Sequence, residues 1–195
     1  MRAAILALAL CGACTPDIVA GAYLCGPEQS CPDGQVCNGP DNICVLPGAA
    51  LPFECGDKIT EVEPNNASTA AQPIPNLACV SPLVQVKGCT PTSDTEDWFV
   101  FDVPAQCTAT EATIRLSFPL AFEQLSLGLD GTATGTVAAC GVNLAPDDGT
   151  DVLCLEQAVT AGSKHAVRVA RSGVGNCGGE CGFNRYTLSL QLGTP

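Results

Sequence analysis

Fourteen cysteines in 195 residues constrain this chain more than any other feature of its sequence. In a reducing cytosol, thiols at that density would be an oxidation liability. In an oxidising compartment they are a covalent framework. The sequence therefore reads as that of an exported protein, and its first residues supply the means of export. Arg2 is a minimal positive start. Residues Ala3 to Leu10 form an apolar run, shorter than the roughly 20 residues that a membrane-spanning helix needs.

The run ends in Leu10-Cys11-Gly12-Ala13-Cys14. Two small residues directly before a cysteine resemble the lipobox of bacterial lipoproteins, although Cys11 stands where that family usually has Leu. The resemblance implies a signal peptide over 1–13, a lipidated Cys14, a tether over 14–22, and a place in the bacterial cell envelope, at the outer membrane. An ordinary signal peptide cut nearby is the alternative, and gives a secreted protein. Either cleavage leaves twelve cysteines, an even number: Cys25, Cys31, Cys37, Cys44, Cys55, Cys79, Cys89, Cys107, Cys140, Cys154, Cys177 and Cys181. Their connectivity does not follow from spacing alone. Crossed pairs Cys25–Cys37 and Cys31–Cys44 are expected in the first cluster, and proximity favours Cys140–Cys154 and Cys177–Cys181.

The segment 23–48 has few apolar residues and strong turn signals at Pro32-Asp33-Gly34 and Asn38-Gly39-Pro40-Asp41-Asn42. So small a unit needs staples, and disulfides supply them. It resembles the small EGF-like and cysteine-rich modules of extracellular proteins. A zinc site is disfavoured by the absence of a nearby histidine and by the export signal. A Pro/Gly/Ala linker follows over 45–52.

From Cys55 onward the texture is period-two alternation between Gly, Asp and Pro turns. Strands are expected at Leu83–Lys87, Trp98–Val103, Thr113–Phe118, Leu125–Leu129, His165–Ala170 and Tyr186–Leu192. Phe99, Phe101, Ile114, Leu116, Leu127, Val167 and Leu188 face inward. One short helix is expected over Ala67–Gln72, capped by Asn66 or Ser68. The fold class is all-β: an antiparallel sandwich over 55–195, preceded by the disulfide-rich module.

Three segments are more specific: Glu61-Val62-Glu63-Pro64-Asn65-Asn66, then Asp94-Thr95-Glu96-Asp97-Trp98, then Tyr186-Thr187-Leu188. Their order and spacing resemble the bacterial pre-peptidase C-terminal domain. That resemblance implies a jelly-roll-like sandwich of the kind that accompanies secreted hydrolases. It also implies calcium ligands at Glu61, Glu63, Asn65, Asn66, Asp94 and Asp97, because calcium takes six to eight hard oxygens. The residues themselves also allow a plain turn at Glu63–Asn66 beside a solvated acidic loop.

The formal net charge is −12, with eight Lys and Arg and no basic run, so nothing points to nucleic acid. His165 is the only histidine, and it sits on a strand face with Val167 and Val169. No nucleophile elbow or zinc-protease helix is present. Glu96 and Asp97 would point to opposite faces of a strand, which argues against a paired-carboxylate site. Trp98 reads as a packing anchor. The expected function is noncatalytic: a cell-surface lipoprotein for binding or structural display, with an extracellular protein or polysaccharide as partner. The alternatives are an accessory subunit of a separate secreted protease or glycosidase, and a small hydrolase with an unfamiliar site.

Overall fold

The computed structural model describes residues 23–38, 43–48, 60–75, 77–80, 83–90, 95–107, 110–119, 122–140, 150–175 and 184–193. The expected signal peptide, Cys14, Cys55, Asp94, Cys177 and Cys181 lie outside them. Among the described residues no helix is long and apolar enough to cross a membrane.

The first strands among the described residues are a two-stranded antiparallel pair, β1 (Val36–Asn38) and β2 (Ile43–Val45). The crossed disulfides Cys25–Cys37 and Cys31–Cys44 bind it to the preceding turns. Two larger sheets follow. One has the order β3 (Gln72–Pro73), β5 (Glu96–Asp102), β10 (Lys164–Gly175), β7 (Glu123–Leu129), β8 (Ala133–Thr134). The other has the order β4 (Val84–Thr90), β11 (Asn184–Leu192), β6 (Thr110–Pro119), β9 (Thr150–Val159). Pairing is antiparallel throughout except between β3 and β5. The long strands β4, β5, β6, β7, β9, β10 and β11 alternate between the two sheets along the chain.

Alternation explains the packing. Phe99, Phe101, Leu125, Leu127, Leu129, Val167 and Val169 from one sheet meet Ile114, Leu116, Phe118, Tyr186, Leu188, Leu190 and Leu192 from the other in one buried cluster. Each such side chain stabilises the fold by roughly 1.5–3 kcal/mol. Phe99 meets Tyr186 edge to face, with centroids 6.4 Å apart. Disulfides Cys79–Cys107 and Cys140–Cys154 staple connections to the sandwich, and Cys89 is also disulfide-bonded.

Two expectations need correction. The helix expected over Ala67–Gln72 is a single 3-10 turn at Ser68–Ala70. Ala67 is its N-cap and no side chain caps it, so neither Asn66 nor Ser68 has the expected role. Strand β9 was missed altogether. Its run Leu153-Cys154-Leu155-Glu156-Gln157 does not alternate, because the strand lies at a sheet edge and exposes Glu156, Gln157 and Ala158 together.

Candidate cation site at the Glu61 turn

The residues 60–66 run beside the edge of β4. Thr60 and Glu61 donate their backbone N–H groups to Lys87 O at 2.9 and 3.1 Å, and Lys87 N–H donates back to Thr60 Oγ1. Gln72 clips the same segment by accepting from Val62 N–H and donating to Thr60 O. The turn at Glu63-Pro64, a cis peptide, then brings Asn65 under β5, where Trp98 N–H donates to Asn65 O at 2.8 Å.

This path gathers three carboxylates. Glu61, Glu63 and Asp97 each offer an oxygen, and the three lie within 4.8 Å of one another. Two unit charges at that separation repel by about 3 kcal/mol at an effective dielectric of about 20, so the arrangement favours a compensating positive charge. Glu61 Oε2 accepts Cys89 N–H at 3.0 Å. Glu61 Oε1 accepts Asn65 Nδ2 at 3.0 Å and the Tyr186 hydroxyl at 2.7 Å, and that hydroxyl lies equally 2.7 Å from Asp97 Oδ2.

Tyr186 has one hydroxyl proton and therefore serves one of these carboxylates at a time. The other short oxygen–oxygen contact needs a carboxyl proton or a cation nearby. Burial first, then the negative charges of Asp97 and Glu61, hold the phenol well above its ordinary range. Tyr186 thus stays neutral and remains a donor. Gly88 leaves room for it, since a Cβ there would overlap Tyr186 Oη and Cζ and crowd Glu61 Oε2.

Asn65 is fully buried. Its Nδ2 is committed to Glu61, which fixes the orientation of the amide. Its Oδ1 is buried with no hydrogen-bond partner, a state that costs about 1–3 kcal/mol unless a ligand relieves it. Three converging carboxylates and a nearby unpartnered amide oxygen are the hard donor types that calcium takes.

Of the six residues expected as ligands, Glu61, Glu63 and Asp97 are brought together, and Asn65 is buried beside Glu61. Asn66 is exposed and its Oδ1 accepts Asn65 N–H at 3.1 Å. Asp94 lies outside the described residues. Tyr186 is expected only as part of the last strand and of the closing segment of the resemblance, and nothing local in the sequence signals its bonds to Glu61, 125 residues away, and to Asp97.

Glu96 points to the opposite face from Asp97, as strand alternation requires. It accepts Trp98 Nε1–H at 3.0 Å and pairs with Arg168. Those contacts, Trp98 first, outweigh desolvation and lower its carboxyl below the usual value. Trp98 is half-buried, with the Arg168 guanidinium 5.8 Å from its ring centre.

His165 has more partners than its strand position implied. Its Nδ1 lies 2.6 Å from Asp130 Oδ2 and its Nε2 lies 2.6 Å from Ser163 Oγ, while its ring stacks on Phe101. Asp130 Oδ1 also accepts Ala166 N–H at 2.8 Å. The order Asp-His-Ser is that of a charge-relay triad. However, Ser163 Oγ donates to Thr160 O at 2.5 Å. Its single proton is therefore directed at a carbonyl and not at the ring nitrogen that would have to take it. Ser163 N–H is spent on the same carbonyl, so it is not free to stabilise an oxyanion.

No family model and no curated protein matches the chain. Among solved structures, the pre-peptidase C-terminal domain of a collagenase from Bacillus anthracis is similar at 14% identity and a TM-score of 0.37. The match covers 63% of this chain and 95% of that one. PliG from Aeromonas hydrophila, a periplasmic inhibitor of g-type lysozyme, is similar at 15% identity and a TM-score of 0.35, with the same coverage.

Proposed function

We propose that this protein is a noncatalytic, lipid-anchored module of the bacterial cell envelope, braced by calcium at the Glu61 turn. Its partner is an extracellular protein or polysaccharide. The observation that carries the calcium reading is the buried, unpartnered Asn65 Oδ1 beside Glu61, Glu63 and Asp97. The cation would be held by those four side chains and would relieve the charge that Tyr186 satisfies only in part. It supplies no chemistry beyond cross-linking. The site joins the 60–66 segment to β5 and β11, so occupancy should stabilise the native fold selectively. Binding is then left to the surface and loops of a rigid sandwich.

Thermal melts test the brace. Calcium at one hundred times its dissociation constant adds about 2.7 kcal/mol, or roughly 5–10 °C for a domain of this size. Glu63→Gln should shrink that shift without lowering the melt in chelator, because it removes one of three mutually repelling charges and the Gln oxygen can still accept the Asn65 N–H. Equal midpoints with millimolar calcium and with chelator would leave only a turn. Pull-down from envelope extracts tests the partner: a wall or matrix polymer supports display, and a co-purifying hydrolase supports the accessory-subunit alternative.

One observation favours a second reading, a small hydrolase: the Asp130–His165–Ser163 order. A fluorophosphonate probe decides it. The proposed function predicts no label on Ser163 and no ester turnover lost on His165→Ala. Labelling that disappears in Ser163→Ala and His165→Ala would establish the hydrolase.

A further inference from the structure

We infer that the N-terminal disulfide segment is the resident occupant of a site on the sandwich built from Phe122 and Arg185. Phe122 is buried, yet it lies outside the main core cluster. It packs instead with Ile43 and Val45 of β2 and with Leu24. The Arg185 guanidinium lies 5.7 Å from the Phe122 ring centre, and Arg185 is itself only 1% exposed. The guanidinium lies over the ring, as cation–π attraction favours, and the apolar side chains of Ile43, Val45 and Leu24 cluster with the same ring.

Both sides of the contact are built for it. On the sandwich, Asn184 Nδ2 donates to Glu123 O at 2.6 Å and reaches Pro119 O at 3.5 Å. It thereby fastens the end of β6 and the start of β7, on either side of Phe122, to β11. Arg171 holds the adjacent Glu123 side chain. On the disulfide segment, β2 is the middle strand, paired with β1 on one side and bridged to Leu24 on the other. Alternation turns Ile43 and Val45 toward Phe122 and turns Cys44 the other way, into its bond with Cys31. The disulfide thus holds in place the strand whose alternate residues make the contact. The seated segment fixes the sandwich relative to whatever the N-terminus is attached to.

Hydroxyl-radical footprinting of the full oxidised chain reads this contact, with core Phe99 as an internal reference. In Cys31→Ser/Cys44→Ser, labelling of Phe122 should rise by about tenfold or more while Phe99 stays protected. A Phe122 that stays as protected as Phe99 would overturn the inference, since the sandwich would then cover it unaided. If that variant labels at Phe99 too, the decision passes to Phe122→Ala, read by amide hydrogen exchange. Faster exchange at Ile43–Val45 with β5 and β10 unchanged supports the seat, and unchanged exchange at Ile43–Val45 overturns it.

Discussion

Tyr186 has one proton to share between two carboxylates, and this imbalance makes it a sensitive residue. Tyr186→Phe keeps the ring that packs on Phe99 and removes only the donor. The buried Asp97 and the half-buried Glu61 then lose a hydrogen bond between them, which should cost roughly 1–3 kcal/mol. Chemical denaturation in chelator should show that loss. In millimolar calcium the deficit should narrow, because a cation between the carboxylates replaces the missing proton. A variant as stable as the parent in chelator would mean that the hydroxyl carries no such load. The pH dependence has a definite sign. The phenol is raised above its ordinary value of 10.0, so its contribution is present below that value and is lost as pH climbs through the folded one. Little of this was legible beforehand. The resemblance of the Glu61 and Asp97 segments to a known domain pointed to the acids. The proton count came only from the fold, because β11 beside β4 brings Tyr186 to Glu61, and the packing of one sheet on the other brings it to Asp97.

At the scale of the element, the strands that could be read were those whose apolar residues alternate. Residues 96–102 and 123–129 alternate cleanly, and their burial follows the pattern. Strand β9 failed that test for a physical reason: at an edge, both faces can be partly exposed and the period disappears. The two-residue β3 has too little sequence to show any period, and its parallel pairing with β5 joins residues 27 apart. Crossed pairing in the first cysteine cluster is an expectation that spacing alone does not settle, and the bonds Cys25–Cys37 and Cys31–Cys44 agree with it. The Cys79–Cys107 bond could not be anticipated, since it spans 28 residues and two sheets' worth of chain. Its removal tests the framework. Cys79→Ala/Cys107→Ala should lower stability by about 2–4 kcal/mol, measured by urea unfolding without reductant. Cys107 is almost fully buried in the main cluster, so Ala there also leaves a small void, and the loss should fall toward the upper end. No change in midpoint would show that packing alone holds the 77–80 segment to the turn before β6.

For the whole molecule, charge decides how the protein can stay at a membrane. A formal charge of −12 with eight basic residues gives the folded part no electrostatic attraction to an anionic lipid surface. Beyond about 8 Å that repulsion is screened at physiological salt, and nearer it is not. The proposed anchoring therefore rests on the N-terminal lipid and gains nothing from surface charge. One acyl chain binds only marginally, whereas two or more anchor stably at about 0.8 kcal/mol per buried CH₂. The proposed anchor at Cys14 lies nine residues before Tyr23, a reach of at most roughly 30 Å. With the disulfide segment seated on Phe122, the sandwich would stay within that distance of the lipid. Because no second attraction supports the anchor, its loss should be close to all or none. Cys14→Ser should move the protein from the membrane pellet to the soluble fraction at every salt concentration tried. Retention in the pellet that dissolves in high salt would reveal a charge-mediated partner. Retention that resists salt and yields only to detergent would mean that Cys14 is not where the lipid is attached.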